Sequence, residues 1–187
     1  MGSKTGTLSF PINLTKSGAS LLFTGFSVLS FIVPFSLAGP QWLVGTIVNT
    51  CLFLTAVFLP KKFFLPMIVF PSLAVLARGI IFGPLTSFLT YFLPFIWLGN
   101  LILILIFRKL CQKAYEKQHY FIAVFLAGSA KFIFLLAIAN IYFNFQLVPA
   151  AFLQIMGISQ LFTALAGGLI SLIVFNAFNK QKFNLLS

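Results

Sequence analysis

The most constraining feature of this sequence is a series of apolar segments, each long enough to cross a lipid bilayer and separated by short breaks. A helix needs about 20 apolar residues to span the hydrocarbon core of a membrane. We place the spans at about 18–38, 41–59, 63–82, 85–107, 119–141 and 149–178. The pattern predicts an all-α, polytopic integral membrane protein built as a bundle of six transmembrane helices.

Polar segments flank the predicted bundle. Residues 1–17 form an amino-terminal arm, residues 18–178 the transmembrane domain, and residues 179–187 a short tail. The arm and first span also resemble a signal peptide, with a cleavage site at residues 36–38. The first span is longer than a signal segment and further spans follow it, so we expect an uncleaved first helix.

Composition excludes other classes of protein. Of the 187 residues, 60% are hydrophobic and only 7% are charged, whereas soluble domains carry about 25% charged residues. This excludes a soluble globular domain. It also excludes a disordered chain, because disorder requires low hydrophobicity and high net charge.

The charged residues are distributed unevenly along the chain. There are 12 Lys and Arg against a single acid, Glu116, and ten of these cations lie before span one, between spans two and three, between spans four and five, or after span six. The ten are Lys4, Lys16, Lys61, Lys62, Arg108, Lys109, Lys113, Lys117, Lys180 and Lys182. The positive-inside rule therefore predicts that both termini are cytoplasmic, in a multi-pass protein of the plasma membrane. Nucleic-acid binding would need a basic face on a soluble module, so we expect no nucleic-acid partner.

The two remaining cations, Arg78 and Lys131, lie inside predicted spans. A cation in hydrocarbon is energetically expensive and normally has a partner. The only acid, Glu116, falls in a predicted cytoplasmic loop, so it cannot be the partner of either cation. The candidates are a backbone carbonyl, a side-chain amide, a lipid phosphate, another subunit or an anionic ligand. The simplest alternative to a ligand is that Arg78 snorkels to headgroups and Lys131 caps carbonyls near a proline.

Uncharged polar side chains also occur within the spans. An amide there commonly bonds across helices, but a few polar groups on an apolar lining are also typical of a small-molecule pocket. We expect such a pocket in the half of the bundle away from the basic loops, formed by spans three to six. The predicted ligand-binding residues are Arg78, Lys131, Asn100, Trp97, Asn140 and Gln154.

Catalytic chemistry has little basis in this sequence. Membrane phosphotransferases need clustered carboxylates, and thiol enzymes need paired cysteines. The chain has one acid, one histidine (His119), and two cysteines (Cys51 and Cys111) far apart in sequence. We therefore expect no enzyme, no catalytic residue, no metal site and no cofactor.

Two segments that contain small and hydroxyl residues are similar to segments of a known protein family. Residues 20–24, SLLFT, stand in the first span, and residues 160–168, QLFTALAGG, stand in the last. With six spans in about 180 residues, the chain resembles the substrate-binding S component of energy-coupling factor vitamin transporters. In that family an Ala-x-x-x-Ala segment of the first helix contacts the coupling subunit, and residues 20–24 are the nearest equivalent.

The resemblance implies a membrane-embedded subunit that binds a small, anionic, vitamin-like solute. It also implies a transmembrane coupling subunit and ATPase subunits as partners, since this sequence contains no P-loop of its own. The alternative is a non-catalytic structural or assembly subunit of a membrane complex. In that alternative, Lys131 meets an acidic residue of another chain.

Overall fold

The computed structural model describes residues 15–37, 40–82, 86–111 and 117–184. Within these ranges every regular element is helical, which confirms the all-α prediction. The elements are α1 (Lys16–Ser36), α2 (Gln41–Phe58), a 3-10 turn (Lys61–Phe63), α3 (Phe64–Phe82), α4 (Thr86–Cys111), α5 (Lys117–Asn144), α6 (Ala151–Met156) and α7 (Ile158–Asn184). Most of the predicted arm (residues 1–14), residues 185–187 of the predicted tail, and Glu116 lie outside the described residues.

Six helical segments of the described chain are long and apolar enough to cross a membrane. These are the dimensions of a multi-pass membrane protein. The sixth segment is not one helix, however, because it breaks at Gly157 into α6 and α7. Gly157 has φ −95° and ψ −118°, and a Cβ atom there would clash with the carbonyl oxygen of Leu153. The absence of a side chain is what permits this break.

Local sequence signals account for several helix boundaries. Thr15 caps α1 by accepting a hydrogen bond from the Gly18 N–H at 3.1 Å. Pro40 and Pro60 precede α2 and the 3-10 turn. The helices α4 and α7 extend beyond the predicted spans, to Cys111 and Asn184, because the Lys, Arg and Gln residues at those ends are good helix formers.

Two arginines mark opposite ends of the bundle. Arg108, near the end of α4, donates a hydrogen bond to the carbonyl of Leu59 at the end of α2, at 2.8 Å. Arg78, near the end of α3, donates to the carbonyl of Leu37 at the end of α1. We call the end that contains Leu59 and Arg108 the basic end. The end that contains Leu37, residues 40–41 and residues 145–150 is the far end.

The helix α2 runs through the centre of the bundle and packs most extensively against α7. Every residue from Asn49 to Leu59 is buried. Gly167 of α7 permits the close approach, because a Cβ there would lie 2.8 Å from the Thr50 nitrogen and 2.9 Å from the Thr46 oxygen. The peripheral helix α1 packs against α3 and α2.

Candidate functional site

A cavity of about 290 Å³ lies among α2, α3, α4, α5, α6 and α7. Its lining begins at Gln41, in the first turn of α2 at the far end, and extends to Lys131 near the middle of α5. Pockets for small molecules have volumes of about 300–1,000 Å³. The cavity is therefore at the lower limit of this range, and it suits a small solute.

Polar lining residues are grouped at the deep side of the cavity. On each of α2, α4, α5 and α7, the lining residue nearest the basic end is polar. These four residues, which we call the polar floor, are Asn49, Asn100, Lys131 and Thr163. Most of the remaining lining is apolar. We call this part the apolar wall, formed by Val44, Val48, Val75, Leu89, Ile96, Phe152, Ile155 and Met156.

Hydrogen bonds connect three residues of the polar floor. Lys131 Nζ donates to Asn49 Oδ1 at 2.8 Å, and Asn49 Nδ2 donates to Thr163 Oγ1 at 3.0 Å. The Thr163 hydroxyl donates to the Gln160 carbonyl at 3.2 Å, so it must accept from Asn49. This sequence of bonds fixes the orientation of the Asn49 amide and directs its oxygen at Lys131.

Lys131 is enclosed within the bundle, with 3% of its surface exposed. Its stem passes Gly99 of α4, where a Cβ would lie 3.4 Å from Lys131 Cγ. Among the described residues its hydrogen-bond partner is the neutral amide of Asn49. A lysine ammonium has three N–H donors, so this contact leaves donors available for a solute.

Asn100 and Trp97 border the same region from α4. Asn100 Nδ2 donates to the Ile68 carbonyl at 3.2 Å, whereas its enclosed Oδ1 has no partner in the described part of the chain. Trp97 is not among the lining residues. Its indole N–H donates at 2.6 Å to Ser72 Oγ, and Ser72 does line the cavity.

Three predicted site residues lie away from the cavity. Arg78 bonds to the end of α1 through Leu37. Asn140 is exposed and donates to the Leu136 carbonyl of its own helix at 2.8 Å, and Gln154 is exposed on α6. The structure thus brings Lys131 and Asn100 together at the cavity, with Trp97 one contact away. A ligand-binding role for these residues stays a prediction.

Two floor residues, Asn49 and Thr163, were not predicted to bind a ligand. Their depth was the available signal, because both lie at least eight residues inside the predicted spans, about 12 Å at 1.5 Å per residue. Asn140 and Gln154 lie closer to the ends. The pocket was also expected to involve spans three to six, but α2 contributes five lining residues.

No metal site is evident in the described ranges, where no three His, Cys, Asp or Glu side chains come together. Cys51 and Cys111 are free and buried, on α2 and α4.

The chain matches no known protein-family profile, no curated protein and no solved structure. The geometry of the cavity is therefore the main guide to function.

Proposed function

We propose that this protein is a membrane-embedded, substrate-binding subunit of a transporter for a small anionic solute. The observation that carries the proposal is the Lys131 amine in the floor of a cavity midway through the bundle, held by a neutral amide. A cation at such depth requires compensation, and the whole chain contains one acid. An anionic solute in the cavity supplies the missing negative charge.

The shape of the cavity supports capture from one side. Its lining reaches the far end at Gln41, whereas the residues of α2 beyond Asn49 are all buried toward the basic end. Ten of the chain's 12 Lys and Arg lie in the segments assigned to the basic side, which favours a cytoplasmic location for that end and for both termini. In the plasma membrane, the cavity would then accept solute from outside the cell.

Movement of the solute across the membrane requires energy from other subunits. The resemblance to energy-coupling factor S components indicates a transmembrane coupling subunit and ATPase subunits as partners. The segment 20–24 that resembles their coupling contact lies on peripheral α1, where Leu21 is 74% exposed. An exposed position is a requirement for such a contact.

The structural or assembly alternative is less consistent with the position of Lys131. In that alternative an acidic residue of another chain pairs with Lys131. The enclosed amine lies among α2, α4, α5 and α7, with 3% of the residue exposed. A neighbouring helix would have to displace one of these helices to reach it.

Replacement of Lys131 tests the proposal. Lys131→Met keeps an unbranched side chain, one atom shorter, and removes the amine, and Lys109→Met removes an exposed cation at the basic end as a matched control. Each protein is purified in mild detergent, and the small molecules that it retains are identified by mass spectrometry. We expect the unmodified chain and the Lys109→Met control to retain an anionic compound that Lys131→Met lacks, with equal membrane insertion. Retention of the same compound by Lys131→Met, or of no anion by the unmodified chain, contradicts the proposal.

A further inference from the structure

All four residues of the polar floor carry hydrogen-bond donors, and one of the four, Lys131, is a cation. Asn49 Nδ2 bonds to Thr163, Asn100 Nδ2 bonds to the Ile68 carbonyl, and the Thr163 hydroxyl bonds to the Gln160 carbonyl. Each amide has a second N–H, so the two asparagines can add neutral donors to the N–H groups of Lys131 that do not bond to Asn49. Among the described residues, Lys131 is the one cation in the lining, so a single ammonium group has to balance the charge of the polar head.

This single cation limits the charge of the head. A phosphate monoester carries nearly two negative charges and three acceptor oxygens at neutral pH. Protein sites usually bind it with several donors or cations. The lining of this cavity contains a single cation, Lys131. A carboxylate carries one charge on two oxygens, so its charge and size match a single lysine.

The rest of the solute must lie against the apolar wall. The floor residue Asn49 is eight residues from Gln41 at the mouth, which corresponds to about 12 Å along α2. Between them, Val44 and Val48 line the cavity from α2, and Leu89 and Ile96 line it from α4. A charged or strongly polar group of a solute placed against these four side chains would lose its hydration without compensation.

We infer that the solute is a monocarboxylate with an apolar body, bound with its carboxylate on Lys131 and its body along the apolar wall. This inference rests on the proposed function and names the substrate class for the same cavity. It excludes dicarboxylates, phosphate esters and strongly hydrophilic anions as preferred solutes.

Affinity selection from a defined mixture tests the inference with compounds of chosen charge and shape. The mixture contains a set of small apolar monocarboxylates, the primary amide of each, the corresponding dicarboxylates, and phosphate monoesters with the same apolar groups. The purified protein is incubated with the mixture, and mass spectrometry measures the enrichment of each compound. We expect monocarboxylates to be enriched about tenfold or more over their amides, as for a hydrogen bond to a charged group.

Two variants locate the selected compounds in the cavity. Lys131→Met should abolish the preference for carboxylates over amides, whereas the Lys109→Met control should retain it. Ile96→Asn replaces an apolar side chain of the apolar wall by a polar one with the same number of heavy atoms, so it should reduce enrichment of the monocarboxylates with the longest apolar bodies most strongly. An equal loss for short and long bodies would show that the body does not lie along this wall, which overturns the inference.

The remaining outcomes separate the inference from the proposed function. Dependence on Lys131 with equal or greater enrichment of dicarboxylates or phosphate esters overturns the monocarboxylate inference and leaves a transporter for anions in place. Two results overturn both the monocarboxylate inference and the proposed function. One is equal enrichment of amides and carboxylates, and the other is that no anion is enriched in a way that depends on Lys131.

Discussion

The two halves of this bundle differ in how completely they are packed, and α2 passes through both. From residue 41 to residue 48, α2 is mostly half-buried or exposed and contributes to the cavity. From Asn49 to Leu59 it is buried without interruption. One helix thus borders a space for a solute in the far half and forms the centre of a close-packed core in the basic half.

The difference follows from the side chains that meet α2 at each level. In the basic half, Phe107 lies with its ring centroid 4.7 Å from Phe53 and 5.3 Å from Tyr120, in edge-to-face contacts. Gly168 lies against Val124 so closely that a Cβ would clash. At the boundary between the halves, α2 and α5 carry Asn49 and Lys131. The comparison predicts that substitutions in the basic half mainly change stability, whereas those in the cavity half mainly change binding.

The largest expected change in stability is that of Leu103→Ala on α4, and Leu89→Ala on the same helix is its matched comparison. Leu103 is fully buried in the basic half, and Leu89 lines the cavity. Leu103→Ala should lower the free energy of unfolding by about 2–5 kcal/mol, because close-packed surroundings cannot collapse around the lost atoms. Leu89→Ala should cost distinctly less, since its side chain already borders an open space. Thermal unfolding of both variants in the same detergent measures the difference, and equal losses would contradict the division into two halves.

A second pair of substitutions tests the contact between α2 and α7. Gly167→Ala places a methyl group against the backbone of α2, so it should cost about 1–3 kcal/mol through overpacking. Gly25→Ala is the control, because nothing lies within 4 Å of a Cβ at that position of α1. The control should be neutral or slightly stabilising, since alanine favours a helix more than glycine does. If Gly167→Ala unfolds no more easily than Gly25→Ala, the two helices are not in this close contact.

The same division explains which features were predictable from the sequence. Hydropathy identified six spans, because the length of an apolar run is a local property and the bilayer fixes the length that is needed. The break at Gly157 was missed, since glycine within an apolar run gives no local signal that distinguishes a close packing contact from a helix end. The two intramembrane cations were likewise evident from the sequence. The free-energy cost of a charge in hydrocarbon indicated that each needs a partner.

Partner identity was not predictable, because it depends on the rotation of each helix about its axis. Arg78 and Lys131 are both single cations within apolar spans, and the sequence distinguishes them only by depth, since Arg78 lies nearer the end of its span. The backbone carbonyl of Leu37 accepts from Arg78, whereas the side-chain amide of Asn49 accepts from Lys131. Both acceptors were among the alternatives open from the sequence. Depth within the span would have favoured Asn49 over Asn140 as a neighbour of Lys131, but only the packed helices bring the two atoms together.

Arg78→Met should have a smaller effect on stability than either of the two packing changes. The substitution removes a hydrogen bond between a charged group and the end of α1, but Arg78 is only half-buried at the far end of the bundle, so we expect a loss of about 1 kcal/mol. Because Arg78 does not line the cavity, the variant should retain the same small molecules as the unmodified protein. Mass spectrometry of the retained compounds checks this expectation. Loss of the anion from Arg78→Met would show that a cation outside the cavity contributes to binding.

Val44→Phe should have the smallest effect on stability and a large effect on binding. Val44 belongs to the apolar wall, so the larger side chain can enter an existing cavity and avoid the overpacking that destabilises a filled core. The control is Ile133→Phe on α5, where the side chain is 62% exposed on the surface of the bundle. Both variants should unfold near the temperature of the unmodified protein, but only Val44→Phe should lose the retained solute. If Val44→Phe retains the solute normally, the solute does not occupy the space beside α2. That result would contradict the assignment of solute binding to the far half of the bundle.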